Sequence, residues 1–465
     1  MLFNSCASVP PVPPQALPEL DVSVPSSWTA AHIPTGQVPV AWWDDFGAEG
    51  LSTIVETALA ENYDLKAAAA RLEQAAAASR IASGALEPSV QATYNDTRRK
   101  QNFVGLPIPG RENSVLSTIS TNHSLSLDIS WEIDLWNRLG ADAQATLADF
   151  QSSAAVLRGA QLSIAGQTVK TWLVIAEAQQ QVTLLRKVVK SFQESSAQVR
   201  DRFEAGIRPA LDLRLALSNL ANTEAALQQQ LQQFDSGKRQ LEVLLGRYAH
   251  AVIDIPPSLP LLTSTVPGGL PADLVARRPD LVAAERDVAA AAARLGVSRK
   301  ELLPRITLTA ATGSATNSLR SLINGDFNVW SLLGSIVAPL WQGGRLRAQI
   351  SRAEARSVET LAIYANTALL AYAEVETALA AEQFLKEREH HLEISVSQAQ
   401  AAERLADERY RAGLESYITV LDSQRSAANA EAELIAARRL RLENRVNLYL
   451  ALGGGFEQLG SPFEL

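Results

Sequence analysis

Polar and apolar residues alternate without a break from Ser124 to Leu135. Leu125, Leu127, Ile129, Trp131, Ile133 and Leu135 fall on one side, with Ser124, Ser126, Asp128, Ser130, Glu132 and Asp134 on the other. A period of two predicts a strand with a single apolar face. Val90, Ala92 and Tyr94 alternate with polar residues over 89–95, and Ile306, Leu308 and Ala310 alternate with Thr307 and Thr309. Past a loop at 317–328, Trp330, Leu332, Ile336 and Leu340 share the face of a last strand. Elsewhere the period becomes helical. One helix is expected over about 50–84, carrying Leu51, Ile54, Val55, Ala58 and Leu59 on one side. From Gly140 to Glu204 there is no proline, which allows ~100 Å of helix at 1.5 Å per residue. Val182, Leu185, Val189, Phe192, Ser196, Val199 and Phe203 step by three and four there, the seam of a coiled coil. Gly206 supplies a left-handed cap, and the chain returns through Leu220, Leu227, Leu231, Phe234, Leu241 and Leu245.

This plan is written twice. Arg202-Phe203-Glu204-Ala205-Gly206 recurs as Arg409-Tyr410-Arg411-Ala412-Gly413, and Leu244-Leu245-Gly246 as Ala451-Leu452-Gly453. Leu135-Trp136 recurs as Leu340-Trp341. The second long helix runs from about Arg345 to Arg411, turns at Gly413 and returns to about Leu452. The organisation is an extended arm over 1–40, a first repeat over 41–250, a proline-rich linker over 251–271, a second repeat over 272–455 and a tail over 456–465. Each repeat holds a helix, two strands and a long helical hairpin. Four strands leave two raw sheet edges, and hairpins with a narrow apolar seam need neighbours. Several chains together would supply both. A soluble sandwich is the alternative for the strands, though it would ask for more of them.

Much of the 47% hydrophobic fraction is alanine, which favours helix and close packing over a thick core. A net charge of −8, with no basic run interleaved with aromatics, argues against a nucleic-acid partner. No apolar run reaches the length of a membrane-spanning helix, but barrel strands leave no such run. The five histidines form no His-Glu-x-x-His pair, His390-His391 reads as a solvated helix face, and no phosphate loop or nucleophile elbow is present. Catalysis, metal and cofactor are therefore not expected. Cys6 is the only cysteine. It is either an incidental thiol or the lipid-modified first residue of a bacterial lipoprotein, with Phe3-Asn4-Ser5 as an imperfect stub of the recognition box.

Gly269-Leu270-Pro271-Ala272-Asp273-Leu274-Val275-Ala276-Arg277-Arg278-Pro279-Asp280-Leu281 closely resembles the segment that opens the second repeat of the TolC-type outer-membrane factors, in their lipoprotein RND/NodT branch. Trp42-Trp43 with Phe46, Pro339-Leu340-Trp341-Gln342-Gly343-Gly344, and Tyr410-Arg411-Ala412-Gly413 followed by Val420-Leu421-Asp422 extend the likeness over residues 40–455. The resemblance implies an α+β membrane protein: a homotrimer whose twelve-stranded outer-membrane β-barrel, four strands per chain, continues into a twelve-helix periplasmic α-barrel. It implies a passive efflux channel for small molecules such as antibiotics. Its partners would be outer-membrane lipid, a periplasmic adaptor (membrane fusion) protein and an inner-membrane RND-type pump of a Gram-negative bacterium. It also favours a covalent lipid at Cys6. A type I protein-secretion duct and a soluble coiled-coil protein are the rival readings.

By the same resemblance, the turns at Gly206 and Gly413 form the periplasmic tips that meet the adaptor. Asp422 matches a pore-constricting aspartate and Asp212 an acidic gate position. Tyr410 matches a tyrosine tying inner to outer helices. Thr419 stands where relatives carry a second aspartate, and Glu415 where they carry a basic partner. Asp422 and Asp212 could instead cap helices or pair with Arg425 and Arg214. Asp128, Glu132 and Asp134 are expected to face water in or just below the barrel, with Trp131 and Trp136 as interfacial anchors.

Overall fold

The computed structural model describes residues 27–30, 38–104, 115–256, 258–262, 266–267, 271 and 274–455. Cys6, the arm up to residue 26, most of the 105–115 loop and the 456–465 tail lie outside the described residues. The described residues form two compact units, one within 73–152 and 285–363, the other within 27–72, 153–284 and 364–455.

The elements follow the duplicated plan. Helices α1 (Leu51–Glu61) and α2 (Tyr63–Gly84) precede strands β1 (Ser89–Phe103) and β2 (Leu116–Ile133), then α3 (Arg138–Glu204) and α4 (Ala210–Leu244). Helices α5 (Leu274–Arg277) and α6 (Pro279–Lys300) precede β3 (Arg305–Thr316) and β4 (Asn328–Val337), then α7 (Arg345–Arg411) and α8 (Tyr417–Ala451). The outgoing helices α3 and α7 are both 67 residues long, and the returning helices α4 and α8 both 35. Among the described residues, no helix is long and apolar enough to cross a membrane.

Local sequence explains the boundaries. The helix expected over 50–84 is two, because the Asn62 carboxamide oxygen accepts the N–H groups of Asp64 and Leu65 and starts α2 afresh. All four long-hairpin ends close alike. Gly206 (φ 71°) and Gly413 (φ 77°) follow α3 and α7, with Ile207 N–H bonded to Arg202 O and Leu414 N–H to Arg409 O, both at 2.9 Å. That 6→1 bond is the Schellman motif, and its left-handed residue favours glycine. Asp134 lies just past β2 and its carboxylate accepts Arg138 N–H (2.6 Å) and Gly140 N–H (2.8 Å), so it caps α3.

The sheet is antiparallel in the order β1-β2-β3-β4. Opposed residues share a face, and the register lines up Val90 with Ile129, Ala310 and Leu332, and Ala92 with Leu127, Thr312 and Trp330. Trp131, Leu308 and Gly334 form a further row, and Ile133, Ile306 and Ile336 another. One face is therefore an apolar band, and it is uncovered: Leu125, Leu127 and Ile129 are exposed, as are Trp330, Leu332 and Ile336. The other face carries Gln91, Asp128 and Ser331 in one row. Leu135 and Leu340 fall past the strand ends, where the alternation outlasts the hydrogen-bonded ladder. At Gly313 β2 and β3 approach so closely that a Cβ would stand 2.1 Å from Leu125 O.

Alanine supplies the helix contacts in this unit, where Ala148 packs with Ala289 and Ala290. In the other unit the bulkiest fully buried side chains are the aromatic Trp42, Trp172, Tyr417 and Tyr449, among leucines such as Leu51 and Leu241. Trp42 stacks on Tyr449 at 5.1 Å between ring centres, and the Tyr449 hydroxyl bonds the Asp45 carboxylate. Burial first, and then that carboxylate, push the Tyr449 phenol well above its ordinary pKa. Arg278, from the segment that opens the second repeat, is buried; it pairs with Asp280 (2.6 Å) and Glu374 (2.7 Å) and donates to Ala451 O (3.1 Å). One guanidinium thus ties the start of α6 to α7 and the end of α8.

Candidate functional site: the hairpin tips

The tips of both long hairpins meet in one buried cluster. Phe192 and Val199 of α3, Ala216 of α4, Ala406 and Tyr410 of α7, and Tyr417, Val420 and Leu421 of α8 compose it. The seam residues Phe192, Ser196 and Val199 are therefore buried below the turn, with Val199 fully covered, whereas Phe203, the last of the expected seam, is exposed.

Tyr410 lies at the centre, 2% exposed. The guanidinium groups of Arg202 and Arg208 lie 4.7 and 5.0 Å from its ring centre, and Tyr417 lies 5.5 Å away. Both arginines belong to the first hairpin and Tyr410 to the second. The Tyr410 hydroxyl has no hydrogen-bond partner among the described residues. Its ring face and its backbone carbonyl, not its hydroxyl, make its polar contacts with the first hairpin, the first as a cation–π interaction and the second with Arg202 Nη1 at 3.5 Å. The Tyr417 hydroxyl lies 3.1 Å from Ser195 Oγ. Burial pushes the Tyr417 phenol up, and the charges of Tyr410 and Asp212 add to the shift.

The two acidic candidates occupy different surroundings. Asp212 is buried in the first turn of α4. Asp422 is exposed on α8, on a polar stripe with Thr419, Arg425, Ser426 and Asn429. Neither Asp422 with Arg425 nor Asp212 with Arg214 forms an ion pair among the described residues. Thr419 and Glu415 are drawn together: the Thr419 hydroxyl donates to Glu415 Oε1 (3.1 Å), and Thr419 N–H donates to the capping Ser416 Oγ (3.4 Å). Bonds from Ser416 N–H and the Thr419 hydroxyl hold the Glu415 carboxyl below its ordinary pKa, with Arg409, 3.7 Å away, adding to the effect. Glu415 thus braces the turn at Gly413.

Behind the tip, burial raises the Glu403 carboxyl; Asp407 and Glu431 push it further up, while Lys187 and Arg404 oppose them. Arg202, Arg208, Tyr417 and Glu403 escaped the sequence reading because each acts on residues of another helix. On the sheet, Asp128 accepts from Ser126 Oγ (2.8 Å) and Glu132 pairs with Arg138 (2.7 Å). Trp131 and Trp136 donate their indole N–H groups to Leu86 O (2.9 Å) and Pro304 O (2.7 Å). No cluster of three or more potential metal ligands occurs among the described residues.

A four-stranded sheet with an uncovered apolar face, a repeated hairpin and a capped double tip define a fold that can be compared directly. The outer membrane efflux protein family matches residues 54–247 and 270–454. The chain belongs to that family. This outer membrane efflux protein is 32% identical over 451 residues to the pyoverdine export outer membrane protein OpmQ of Pseudomonas putida, covering 96% of this chain and 94% of that one. It is 30% identical over 458 residues to the probable efflux pump outer membrane protein TtgC of the same species, covering 97% and 93%. Its fold superimposes on the outer-membrane channel OprN with a TM-score of 0.85 at 27% identity, over 94% of this chain and 98% of that one. The resemblance to TolC-type factors therefore holds, as does the α+β architecture with four strands per chain. The protein is an outer-membrane channel component of an efflux pump, and it is not an enzyme.

Proposed function

We propose that three copies of the chain close one conduit, a twelve-stranded barrel in the outer membrane continued by a twelve-helix tunnel in the periplasm. Small molecules such as antibiotics pass through it passively. An inner-membrane RND-type pump supplies the energy, and a periplasmic adaptor docks on the tips at Gly206 and Gly413. A covalent lipid at Cys6 would add an anchor to the outer membrane. The observation that carries the assembly is the sheet itself: four strands with an uncovered apolar face and β1 and β4 unpaired at its edges.

The gate is the double tip. Asp422 stands on the exposed polar stripe of α8, beside buried Val420 and Leu421. Three symmetry copies would form a narrow acidic ring that attracts cations and retards anions. Opening is an iris-like turn of the second hairpin against the first, which must separate Tyr410 from Arg202 and Arg208. In planar bilayers, Asp422→Ala raises single-channel conductance and weakens block by divalent cations. Conductance and cation block both equal to the parent channel would remove Asp422 from the gate.

A further inference from the structure

The face that carries the apolar band continues past it. Tyr94 is level with Leu125, and Trp330 lies one row below, so two aromatic rings mark the band's limit toward the β1–β2 turn. Beyond Tyr94 the same face of β1 presents Asp96, Arg98 and Lys100, opposite His123, Thr121 and Ile119. Asp96 is engaged by His123 at 3.2 Å. Arg98 and Lys100 are exposed and form no ion pair among the described residues. Arg99, between them, lies on the opposite face with Ser120.

The spacing suits a bilayer. The rows from Ile133 to Leu125 span roughly 27 Å along the strand at about 3.4 Å per residue, or about 19 Å of height at a ~45° tilt. Arg98 is four residues past Tyr94, roughly 14 Å along the strand, or about 10 Å of height at the usual ~45° tilt. Headgroup layers extend about 5–8 Å beyond the hydrocarbon on each side, and arginine and lysine stems can lean back toward them. β1 leaves α2 at Ser89 and runs away from it, so the basic pair lies at the strand end remote from the helices.

We propose that Arg98 and Lys100 bind the phosphates of a phosphorylated glycolipid in the outer leaflet, the class to which lipid A belongs. The chain's net charge is −8, so an outward cationic pair at phosphate height runs against its general charge. A planar guanidinium donates to two phosphate oxygens at once, and the ammonium adds a point charge. The inference rests on the barrel reading, in which this face meets lipid.

Native mass spectrometry of the detergent-purified, full-length protein tests it. The wild-type protein retains bisphosphorylated lipid A about tenfold better than dephosphorylated lipid A. Arg98→Gln with Lys100→Gln abolishes the preference, and Arg99→Gln keeps it. The assembly's own mass in each spectrum reports whether a variant has folded. A preference unchanged in the double variant, equally lost in Arg99→Gln, or displaced by millimolar inorganic phosphate would overturn the inference. A detergent-dependent trimer without phosphate preference defeats this inference alone, whereas a monomer soluble in plain buffer defeats the barrel reading beneath it.

Discussion

At the scale of single residues, the tip is held by contacts that local sequence does not announce. Tyr410 was legible as a site residue through its Tyr-Arg-Ala-Gly setting, but its partners Arg202 and Arg208 lie some two hundred positions away and look like ordinary surface cations. Glu415 and Thr419 were legible as departures from the family pattern; that they brace one turn became visible only with the cap geometry. The physics at Tyr410 separates two roles. A hydrogen-bonded phenol would lose its tie on removal of the oxygen, whereas a ring under two guanidinium groups would not. Each cation–π contact is worth about 0.5–2 kcal/mol, depending on how dry it is. Tyr410→Phe should therefore leave conductance in planar bilayers near the parent value. Arg202→Ala combined with Arg208→Ala should raise it severalfold. If the phenylalanine variant opens as far as the double arginine variant, the hydroxyl is the tie and the cation–π account is wrong.

At the scale of elements, what the sequence showed depended on whether burial imposed a period. The 67-residue helices were legible from missing prolines and a repeating seam. β1 was legible only to Asn95, yet it runs to Phe103, because Asp96, Arg98 and Lys100 replace apolar residues once the strand leaves the band, while its ladder continues. The α7–α8 pair shows a further element property. Its middle is clasped by Arg441 with Glu382 and Glu389 (3.0 and 2.9 Å) and by Arg438 with Glu389 and Glu393 (3.1 and 2.7 Å). Toward the tip, Glu403 and Asp407 of α7 face Glu431 of α8. There the carboxyl of Glu403 is raised above 4.5, chiefly by burial. A raised carboxyl binds its proton more tightly when folded, so its favourable contribution is complete below the ordinary value and is lost as pH climbs through the folded one. Glu403→Gln should therefore raise thermal stability at pH above the ordinary glutamate range and flatten the loss that the parent shows as pH climbs out of it. Thermal melts of the detergent-solubilised protein would read it; parallel profiles for parent and variant would exclude Glu403 as the group responsible.

At the scale of the whole molecule, the sheet sets the strictest demand. An antiparallel sheet normally buries one face and solvates the other. Here the apolar face is the uncovered one, and β1 and β4 leave their outer edges unpaired. A lipid environment and closure with further copies remove both costs together, and neither alone removes both. The register makes this separable by a substitution one residue apart. Leu332 lies level with Ala310 and Ile129, midway along the apolar band, while its neighbour Ser331 lies with Ala311 and Asp128 on the polar face. Leu332→Arg should cost about 2–4 kcal/mol, the penalty for a cation at the mid-height of a barrel's lipid face, and should deplete heat-resistant oligomer from the outer-membrane fraction. Ser331→Arg, on the Asp128 side that the proposed barrel turns to a water-filled lumen, should leave that oligomer at the parent level while changing conductance. Equal depletion by both would mean that the polar face is packed against something other than water. Depletion by Ser331→Arg alone would mean that the sheet is inside out, with lipid on the Asp128 side.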